Sequence, residues 1–281
     1  MRRSRLYLPG NTPKLAINAG LHSGDGIILD LEDSVAPERK GEARILVRNT
    51  LRTVDFYGAE RMVRINQGER GLPDLDAVVP QHVNVILLPK CENPEQVQTI
   101  DARIQLLRKE YNIEHDVWIM PIIESAMGVM RASDIAGASP GVIALAVGLE
   151  DYTADLGAPR TAEGTESYFA RATVVNAAKA RGIQAIDSVF SDVSDMEALR
   201  QNVLASKSLG FDGMGCIHPR QIKVIHEAFA PTAEEIDKAR KIVEAFEEAE
   251  KKGLGVVAVG SKMIDPPVVK RALRIMELAE K

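Results

Sequence analysis

Eight short apolar runs, separated by longer stretches with helical spacing, dominate the sequence and leave few folds open. Apolar residues fill nearly every position of each run, as in parallel strands that are buried on both faces. Eight such strands alternating with helices predict an α/β fold, a (β/α)₈ TIM barrel. The runs are Leu6–Leu8, Gly26–Leu31, Met62–Ile65, Val83–Leu88, Val117–Ile123, Val142–Val147, Ile183–Val189 and Gly213–Ile217.

The stretches between these runs are long enough for crossover helices. Residues 93–110 carry apolar side chains at helical spacing, and Asn93 is a typical N-cap for that helix. A doubly wound sheet is the alternative fold, but it usually carries a glycine-rich turn after its first strand. The only candidate turn, Pro9-Gly10-Asn11, lacks the G-x-G-x-x-G spacing, so the barrel is favoured.

The chain changes character after the eighth run. We predict that residues 1–230 form the catalytic barrel and that residues 231–281 form a C-terminal helical arm. Thr232 and Glu235 have the spacing of a capping box, which predicts a helix start. A glycine-containing apolar segment at 254–264 is typical of a hairpin, and a last helix follows it. Such an arm either caps the bottom of the barrel or reaches a neighbouring subunit, and periodicity alone does not choose.

Charge and cysteine content narrow the class of protein. Lys and Arg number 35 against 40 Asp and Glu, a formal charge of −5, whereas nucleic-acid binders usually carry a basic stripe. Cys91 and Cys216 show neither a disulfide framework nor a zinc spacing, and we interpret them as reduced packing thiols. The N-terminus lacks a signal-peptide core, and no apolar run reaches the roughly 18 residues of a membrane helix. We expect a soluble, cytoplasmic protein that binds neither nucleic acid nor membrane.

Polar side chains gather at the carboxyl ends of the predicted strands, where the chemistry of a barrel enzyme lies. They are Asp30, Glu32, Asp33, Arg64, Asn66, Lys90, Glu124, Glu150, Asp151, Asp187 and His218. Each acid alone has an ordinary explanation as a helix cap or a solvated loop residue. Several carboxylates brought together raise one another's pKa unless a cation compensates. The oxygen-rich set, without clustered cysteines, favours Mg²⁺ or Mn²⁺ over zinc.

Arg64 is the single arginine at a predicted strand end. Its planar fork matches a carboxylate with two parallel hydrogen bonds, so it could bind the carboxylate of a substrate. It could equally form a structural ion pair with Asp30 or Glu32 on the neighbouring strand. The sequence leaves both roles open.

Nine short strings, in this order and spacing, resemble those of the citrate lyase beta-subunit family, the malyl-CoA and citramalyl-CoA lyase-like members of the HpcH/HpaI aldolase superfamily. The strings are Leu8-Pro9-Gly10-Asn11, Asp30-Leu31-Glu32-Asp33-Ser34-Val35, Val63-Arg64-Ile65-Asn66, Leu88-Pro89-Lys90, Ile123-Glu124-Ser125, Gly148-Leu149-Glu150-Asp151-Tyr152, Tyr168-Phe169-Ala170-Arg171, Ala185-Ile186-Asp187 and Ile217-His218-Pro219-Arg220-Gln221-Ile222. The C-terminal string Gly260-Ser261-Lys262-Met263-Ile264-Asp265 also fits. The resemblance covers almost the whole chain.

This resemblance implies a (β/α)₈ barrel with a C-terminal helical extension, assembled as a homotrimer or a hexamer. It also implies magnesium-dependent cleavage or formation of a C–C bond beside a thioester. By motif, Glu124 and Asp151 would be the magnesium ligands, and Arg64 would bind the carboxylate of an oxo acid. Asp265 matches the acid that relatives place in a neighbour's active site, which favours an arm exchanged between subunits. The thioester carrier would approach Pro9, Gly10, Asn11 and Lys14.

The chemistry of such a cleavage requires a metal, an acid that exchanges a proton and residues that orient them. Breaking the C–C bond of a 3-hydroxy thioester leaves an enolate on one fragment, and a metal stabilises that developing negative charge. A carboxylate then exchanges a proton with the thioester α-carbon, a role that we assign to Asp265. Glu32 and Asp33 are predicted to orient metal-bound waters or Arg64. For His218, a structural hydrogen bond fits at least as well as the role of a base.

The leading hypothesis is a magnesium-dependent carbon–carbon lyase. It cleaves a 3-hydroxy-carboxyacyl thioester (citramalyl-CoA, malyl-CoA or a citryl thioester) to an acetyl thioester and pyruvate, glyoxylate or oxaloacetate. If the carrier is an acyl carrier protein instead of free CoA, the chain is the beta subunit of a citrate lyase complex, and Lys262 in the C-terminal string slightly favours that version. A class II pyruvate aldolase is less favoured, because it usually carries a histidine near the first strands and only His22 lies there. A non-catalytic scaffold is the last alternative.

Overall fold

The computed structural model describes residues 2–251, 253, 255–259 and 262–280. The chain divides into two compact units, Arg2–His226 and Glu227–Lys281, and each has its own hydrophobic core. Among the described residues, no helix combines the length and the apolar composition that a membrane span requires.

The larger unit is a closed barrel of eight parallel strands, which confirms the fold predicted from the eight apolar runs. The strands are β1 Ser4–Pro9, β2 Gly26–Asp30, β3 Glu60–Arg64, β4 Val85–Leu88, β5 Trp118–Ile123, β6 Ala144–Val147, β7 Gln184–Asp187 and β8 Gly213–Cys216. Each strand pairs with the next in chain order, and β8 closes on β1. In this register Pro9 lies beside Asp30, and Asp30 lies beside Arg64.

Helices connect the successive barrel strands, and one more, α10, follows β8. They are α1 Pro13–Ala16, α2 Lys40–Thr53, α3 Leu72–Val78, α4 Pro94–Glu110, α5 Ala126–Met130, α6 Ala132–Ala136, α7 Leu149–Leu156, α8 Thr165–Ala180, α9 Met196–Leu209 and α10 Pro219–Phe229. Short 3₁₀ helices cover Ala19–His22, Pro37–Arg39, Gly68–Gly71 and Val79–Gln81. The predicted start of α4 is confirmed, since the Asn93 side chain accepts a hydrogen bond from the Gln96 backbone N–H at 3.0 Å.

The inner face of the barrel is packed by alternate residues of the strands. The buried cluster consists of Ile28, Met62, Val85, Leu87, Met120, Ile122, Ala144, Ala146 and Ile186. Ala146 on β6 and Gly215 on β8 also line a cavity that opens at the mouth of the barrel. Because these two residues are small, the layer below the mouth leaves space for a ligand.

The predicted strands differ from the observed ones mainly at their ends. The run predicted as Ile183–Val189 is a strand only over Gln184–Asp187, because Ser188 turns to accept a hydrogen bond from the start of α7. The first strand begins at Ser4, before the predicted Leu6, and so includes Arg5. A charged residue does not fit the hydrophobic pattern of a buried strand, so Arg5 was left out of the predicted one. The structure nevertheless buries Arg5 inside the barrel.

The smaller unit consists of two helices and a two-stranded antiparallel sheet: α11 Ala233–Lys251, β9 Val257–Val259, β10 Lys262–Ile264 and α12 Pro266–Ala279. The predicted capping box is present, since the Glu235 N–H donates to Thr232 Oγ1 at 3.1 Å and the Thr232 N–H donates to Glu235 Oε2 at 2.8 Å. Leu254, Gly260 and Ser261 of the predicted hairpin and C-terminal string lie outside the described residues. The packing of this arm on a neighbouring subunit stays a prediction.

Candidate active site

A cavity of about 510 Å³ opens at the carboxyl ends of the barrel strands. This is the end of a TIM barrel that carries catalytic residues, and the volume suits a small-molecule site. Five of the residues that the sequence predicts for the site line this cavity: Pro9, Asp33, Arg64, Glu124 and Asp151.

Arg64 is held by carboxylates at the end of β3. Its Nε and Nη2 donate to the two carboxylate oxygens of Asp30 at 2.6 and 2.7 Å. Its Nη1 lies 3.0 Å from Glu32 Oε2 and 3.4 Å from Asp33 Oδ2. The guanidinium also lies over the Tyr7 ring, 5.4 Å from the ring centroid. The structural ion pair considered for Arg64 is therefore present, and the guanidinium still lines the cavity.

The two buried acids beside Arg64 respond differently to burial. Burial opposes ionisation of Asp30, but the hydrogen bonds and the charge of Arg64 keep its pKa below the ordinary value. For Glu32, the effect of burial exceeds that of the Arg64 charge, and the pKa of Glu32 is raised. Gln67 Nε2 donates to Glu32 Oε1 at 2.5 Å. Asp30 is thus the fixed anchor of Arg64, whereas Glu32 retains some tendency to hold a proton.

Glu124 is a buried carboxylate at the end of β5, with only 4% of its surface exposed. Its Oε1 accepts a hydrogen bond from the Lys90 backbone N–H at 2.6 Å. A Cβ at position 148 would collide with Oε2, so the glycine found there makes room for the carboxylate. Burial, supported by the charges of Asp151 and Glu32, raises the pKa of Glu124 to about 8. A buried carboxylate with this environment is stabilised in its charged form by a nearby cation.

Asp151 lies in the first turn of α7 and is partly exposed to the cavity. The start of this helix is held by the residue that follows β7, since the Leu149 N–H donates to Ser188 Oγ at 3.2 Å. The Ser188 N–H in turn donates to Asp187 Oδ1 at 2.9 Å. Asp187 is itself paired with the buried Arg171 of α8. This chain of contacts fixes where Asp151 stands relative to the barrel wall.

Lys90 follows β4 and joins two acids of the site. Its backbone has a φ of +47°, a conformation in which few non-glycine residues are found. Its Nζ lies 3.3 Å from Asp151 Oδ1 and 3.8 Å from Glu32 Oε1. Burial alone would lower the pKa of Lys90, but Asp151, Asp33 and Glu32 raise it above its ordinary value. Lys90 is therefore a permanent positive charge between carboxylates.

Three residues predicted to meet the thioester carrier do not line the cavity. The Gly10 N–H donates to the Asp30 carbonyl oxygen at 2.8 Å, and a Cβ at Gly10 would lie 2.6 Å from that oxygen. Gly10 thus allows the close approach of β1 to β2. Asn11 is half-buried and Lys14 is exposed on α1. Their contact with a carrier stays a prediction.

Asp265 belongs to the smaller unit, where it is the N-cap of α12. Its Oδ1 accepts a hydrogen bond from the Val268 N–H at 3.2 Å. The structure describes this local role, and its catalytic role stays a prediction. His218 Nδ1 accepts a hydrogen bond from the Arg220 N–H at 3.2 Å, in line with the structural role considered for it.

Four further residues lie in or beside the site: Asp30, which the sequence offered as one of two ion-pair partners for Arg64, and Lys90, Tyr7 and Arg5, to which the sequence gave no role. Asp30 and Lys90 were visible as polar residues at strand ends, but only the register shows which partners they meet. Tyr7 lies beneath Arg64, and burial raises its pKa to about 12. Arg5 is buried deeper in the barrel and lines the same cavity. No sequence signal separates Tyr7 and Arg5 from ordinary strand residues.

Carboxylates, an arginine and a lysine thus gather at the mouth of a closed parallel barrel, the end at which barrel enzymes carry their catalytic residues. The model of the family HpcH/HpaI aldolase/citrate lyase matches residues 3–219. The chain therefore belongs to the HpcH/HpaI aldolase/citrate lyase family, and it is a carbon–carbon lyase.

Similar proteins and structures cover the chain almost end to end. The citrate lyase subunit beta of Haemophilus influenzae is 40% identical over 100% of this chain and 97% of its own length. The mitochondrial citramalyl-CoA lyase of Rattus norvegicus is 34% identical over 99% of this chain and 86% of its own. The CitE protein of Mycobacterium tuberculosis, solved with magnesium, acetoacetate and coenzyme A, has a TM-score of 0.81 and 30% identity, and the match covers 99% and 98% of the two chains.

The residues present fit a magnesium ion. Glu124 and Asp151 supply oxygen donors that line the same cavity, and Gly148 leaves space beside Glu124. The described part of the chain contains no group of three or more His, Cys, Asp or Glu side chains in metal-binding arrangement. A site with two carboxylates suits Mg²⁺, which usually keeps several waters and takes the remaining oxygens from its substrate. It does not suit zinc, which prefers three or four protein ligands.

Proposed function

We propose that the protein is a magnesium-dependent lyase that cleaves a 3-hydroxy-carboxyacyl thioester to an acetyl thioester and an oxo acid. The oxo acid is pyruvate, glyoxylate or oxaloacetate. One observation carries the proposal: Glu124, Asp151 and Arg64 line one cavity at the carboxyl ends of the strands. The membership of the lyase family supports it.

The residues at the mouth of the barrel have separate roles in binding and orienting the substrate. Glu124 and Asp151 hold Mg²⁺, which when bound polarises the substrate oxygens and offsets negative charge as the C–C bond breaks. Arg64 binds the carboxylate of the oxo-acid part, because Asp30 and Glu32 fix the plane of its guanidinium. Lys90 keeps Asp151 and Glu32 in place through its charge.

The reaction balances as a proton transfer coupled to bond cleavage. The substrate hydroxyl loses its proton through solvent to the Asp265 carboxylate, its carbon becomes the carbonyl of the oxo acid as the C–C bond breaks, and the electron pair of that bond passes into the thioester enolate. The α-carbon of that enolate then takes up a proton and gives the acetyl thioester. Asp265 supplies this proton from the arm of a neighbouring subunit in a homotrimer or hexamer. A carboxyl group at hydrogen-bonding reach of the α-carbon is the acid that this step requires.

The thioester carrier is free coenzyme A in this proposal, and an acyl carrier protein is the alternative. The alternative makes the chain the beta subunit of a citrate lyase complex. The carrier approaches Pro9, Gly10, Asn11 and Lys14, near the end of β1. Pro9 lines the cavity and Lys14 is exposed, which suits contact with a negatively charged carrier.

Turnover of defined thioesters by the purified chain tests this proposal. Citramalyl-CoA, malyl-CoA and citryl-CoA are each incubated with the protein, with Mg²⁺ and with excess chelator, and the released oxo acid is measured. We expect magnesium-dependent release of an oxo acid from at least one of them. Turnover of a citryl acyl-carrier-protein thioester alone would select the complex-subunit version. No turnover of any of the four substrates would refute the lyase.

Ser188 is expected to tune magnesium binding through α7. Ser188→Ala removes the acceptor of the Leu149 N–H, so the first turn that carries Asp151 loses its tie to β7. We expect the dissociation constant for Mg²⁺, measured by calorimetry, to rise about tenfold. The free energy of unfolding should fall by about 1 kcal/mol.

Ser194→Ala is the matched control. Ser194 bonds Asp192 in an exposed loop and has no part in the cavity. Its substitution should leave the magnesium affinity unchanged. A Ser188→Ala protein that is less stable but binds Mg²⁺ as tightly as the original chain would limit Ser188 to a structural role.

A further inference from the structure

Tyr7 is a polar aromatic side chain on the inner face of the barrel. It packs against the apolar cluster of the barrel interior, lines the active-site cavity and is partly exposed. In register Tyr7 lies beside Ile28, and Asp30 stands two residues further along β2. Residues two apart on a strand share a face of the sheet. Tyr7 therefore lies one layer below Asp30 and Arg64, at the floor of the site.

The ring of Tyr7 is held from two sides. The Arg64 guanidinium lies over it, with 5.4 Å between the guanidinium carbon and the ring centroid. On the side of β8, a Cβ at Gly215 would lie 3.1 Å from Tyr7 Cε2, so the glycine leaves space for the edge of the ring. Because the ring is confined between Arg64 and β8, the hydroxyl at its tip has a defined position.

The hydroxyl of Tyr7 lacks a protein partner. No residue in the part of the chain that the structure describes forms a hydrogen bond with it, and its oxygen keeps surface that is accessible from the cavity. The hydroxyl of an interior tyrosine usually has a partner. Burial raises the pKa of Tyr7 to about 12, so the hydroxyl keeps its proton at neutral pH. It is thus a neutral donor that faces the place of the ligand.

The position of Arg64 indicates which acceptor this donor meets. Nε and Nη2 of Arg64 already bond Asp30, so part of the guanidinium is engaged before a substrate binds. A carboxylate offers about four lone-pair sites. A substrate carboxylate that reaches Arg64 therefore keeps acceptor capacity for a second donor. The Tyr7 ring is in contact with Arg64, so its hydroxyl and the guanidinium lie within the reach of one small acid.

We propose that Tyr7 is a substrate-binding residue whose hydroxyl donates a hydrogen bond to the carboxylate that Arg64 binds. This inference rests on the proposed lyase function and adds a neutral donor to its carboxylate site. The same carboxylate is present in the thioester substrate and in the released oxo acid. The hydrogen bond is therefore made equally in the ground state and in the transition state. Removal of such an interaction raises KM and leaves kcat nearly unchanged.

Oxo-acid binding to matched tyrosine variants tests this role. Tyr7→Phe keeps the ring under Arg64 and removes only the hydroxyl. Tyr111→Phe is the control, because it makes the same change at an exposed residue that ends α4 and does not line the cavity. Calorimetry gives the dissociation constants of pyruvate, glyoxylate and oxaloacetate at saturating Mg²⁺, and of Mg²⁺ alone. The melting temperature, and KM and kcat for the thioester that is turned over, are measured on the same samples.

We expect Tyr7→Phe to weaken the binding of all three oxo acids by the same factor, about tenfold, because they share the carboxylate. KM for the thioester should rise by a similar factor, and kcat should change by less than about threefold. The magnesium affinity should stay unchanged. The melting temperature should be unchanged or higher, since the folded protein loses no hydrogen bond of its own. Tyr111→Phe should change none of these quantities.

Four results would overturn the role of Tyr7. They are unchanged oxo-acid binding, unequal factors for the three oxo acids, a changed magnesium affinity without an oxo acid, and a lower melting temperature that accompanies the weaker binding. If the unmodified protein turns over no thioester but binds the oxo acids more tightly than Tyr7→Phe does, the lyase proposal fails and the carboxylate contact stands. If Tyr7→Phe turns over a thioester with the original KM, only the proposal for Tyr7 fails.

Discussion

Glu124→Gln is expected to abolish lyase activity while the fold persists. The amide has nearly the shape of the carboxylate but lacks its charge, so the magnesium site loses one of its two proposed protein ligands. We expect kcat/KM to fall by about 10³-fold, which corresponds to about 4 kcal/mol of transition-state stabilisation. The melting temperature in metal-free buffer should be unchanged or higher, because burial already disfavours the ionised form of Glu124. The measurements are steady-state kinetics over a Mg²⁺ titration and thermal melts of the same samples.

Glu42→Gln is the matched control for this result. Glu42 lies on the surface of α2, where it pairs with Arg39 at 3.0 Å. Its substitution should change neither the activity nor the magnesium dependence, since exposed ion pairs contribute little. An active Glu124→Gln protein with normal magnesium dependence would remove Glu124 from the metal site.

Arg64→Met is expected to cost both stability and activity. Asp30 and Glu32 are 2% and 3% exposed, and the substitution leaves Asp30 without its cation and Glu32 with Lys90 alone. Breaking a buried ion pair in this way costs about 3–5 kcal/mol in the free energy of unfolding. Activity should fall by at least 10²-fold, because the substrate carboxylate loses its proposed partner. Urea denaturation and kinetics at saturating Mg²⁺ measure the two effects.

The stability loss in Arg64→Met should depend on pH in a defined direction. Arg64 keeps the pKa of Asp30 below its ordinary value of 3.8, so the contribution of the pair is present above that value. It is lost as the pH falls through the lower pKa of the folded state. The difference in unfolding free energy between the original protein and the variant should therefore be largest near neutral pH and narrow below about pH 4.

The double variant Asp30→Asn/Arg64→Met separates the contribution of the Asp30–Arg64 ion pair to the free energy of unfolding from the contributions of its surroundings. Asn brings no charge and keeps one acceptor oxygen, so it retains the hydrogen bond from either the Glu32 or the Ser34 N–H, which bond different oxygens of Asp30. We expect the double variant to recover part of the stability lost by Arg64→Met, because no charged partner of the pair remains unpaired at position 30. A loss below 1 kcal/mol in Arg64→Met, or a double variant with purely additive losses, would contradict the account of this ion pair.

Much of the fold could be predicted from the sequence, because the barrel follows from local patterns. Runs such as Gly26–Leu31 and Gly213–Ile217 are apolar throughout, and that pattern alone indicates strands buried on both faces. The positions of Glu124 and Arg64 at the mouth follow from the same reasoning, since the carboxyl ends of parallel strands meet at one end of a barrel. Asn93 and the Thr232–Glu235 pair were predictable because caps depend on neighbours only three residues away.

The rest depends on contacts that no local pattern encodes. Whether Arg64 pairs with Asp30 or stays free depends on the register of β2 and β3. The position of Lys90 between Asp151 and Glu32 depends on three separate strand ends. Arg5 could not be predicted at all, because hydrophobic periodicity assigns a charged residue to a strand edge or a loop, and the glycines that make room for it lie on other strands.

We propose that Glu124 and Asp151 together hold the metal that binds the oxo acid. Crystals grown with Mn²⁺ in place of Mg²⁺ and soaked with an oxo acid would test it most directly, since manganese gives an anomalous signal. We predict one anomalous peak in the cavity, with a carboxylate oxygen of Glu124 and one of Asp151 at about 2.0–2.2 Å and with oxygens of the oxo acid completing its coordination. A peak that lies away from these two carboxylates, or an oxo acid bound without contact to the metal, would show that Glu124 and Asp151 do not hold the catalytic metal.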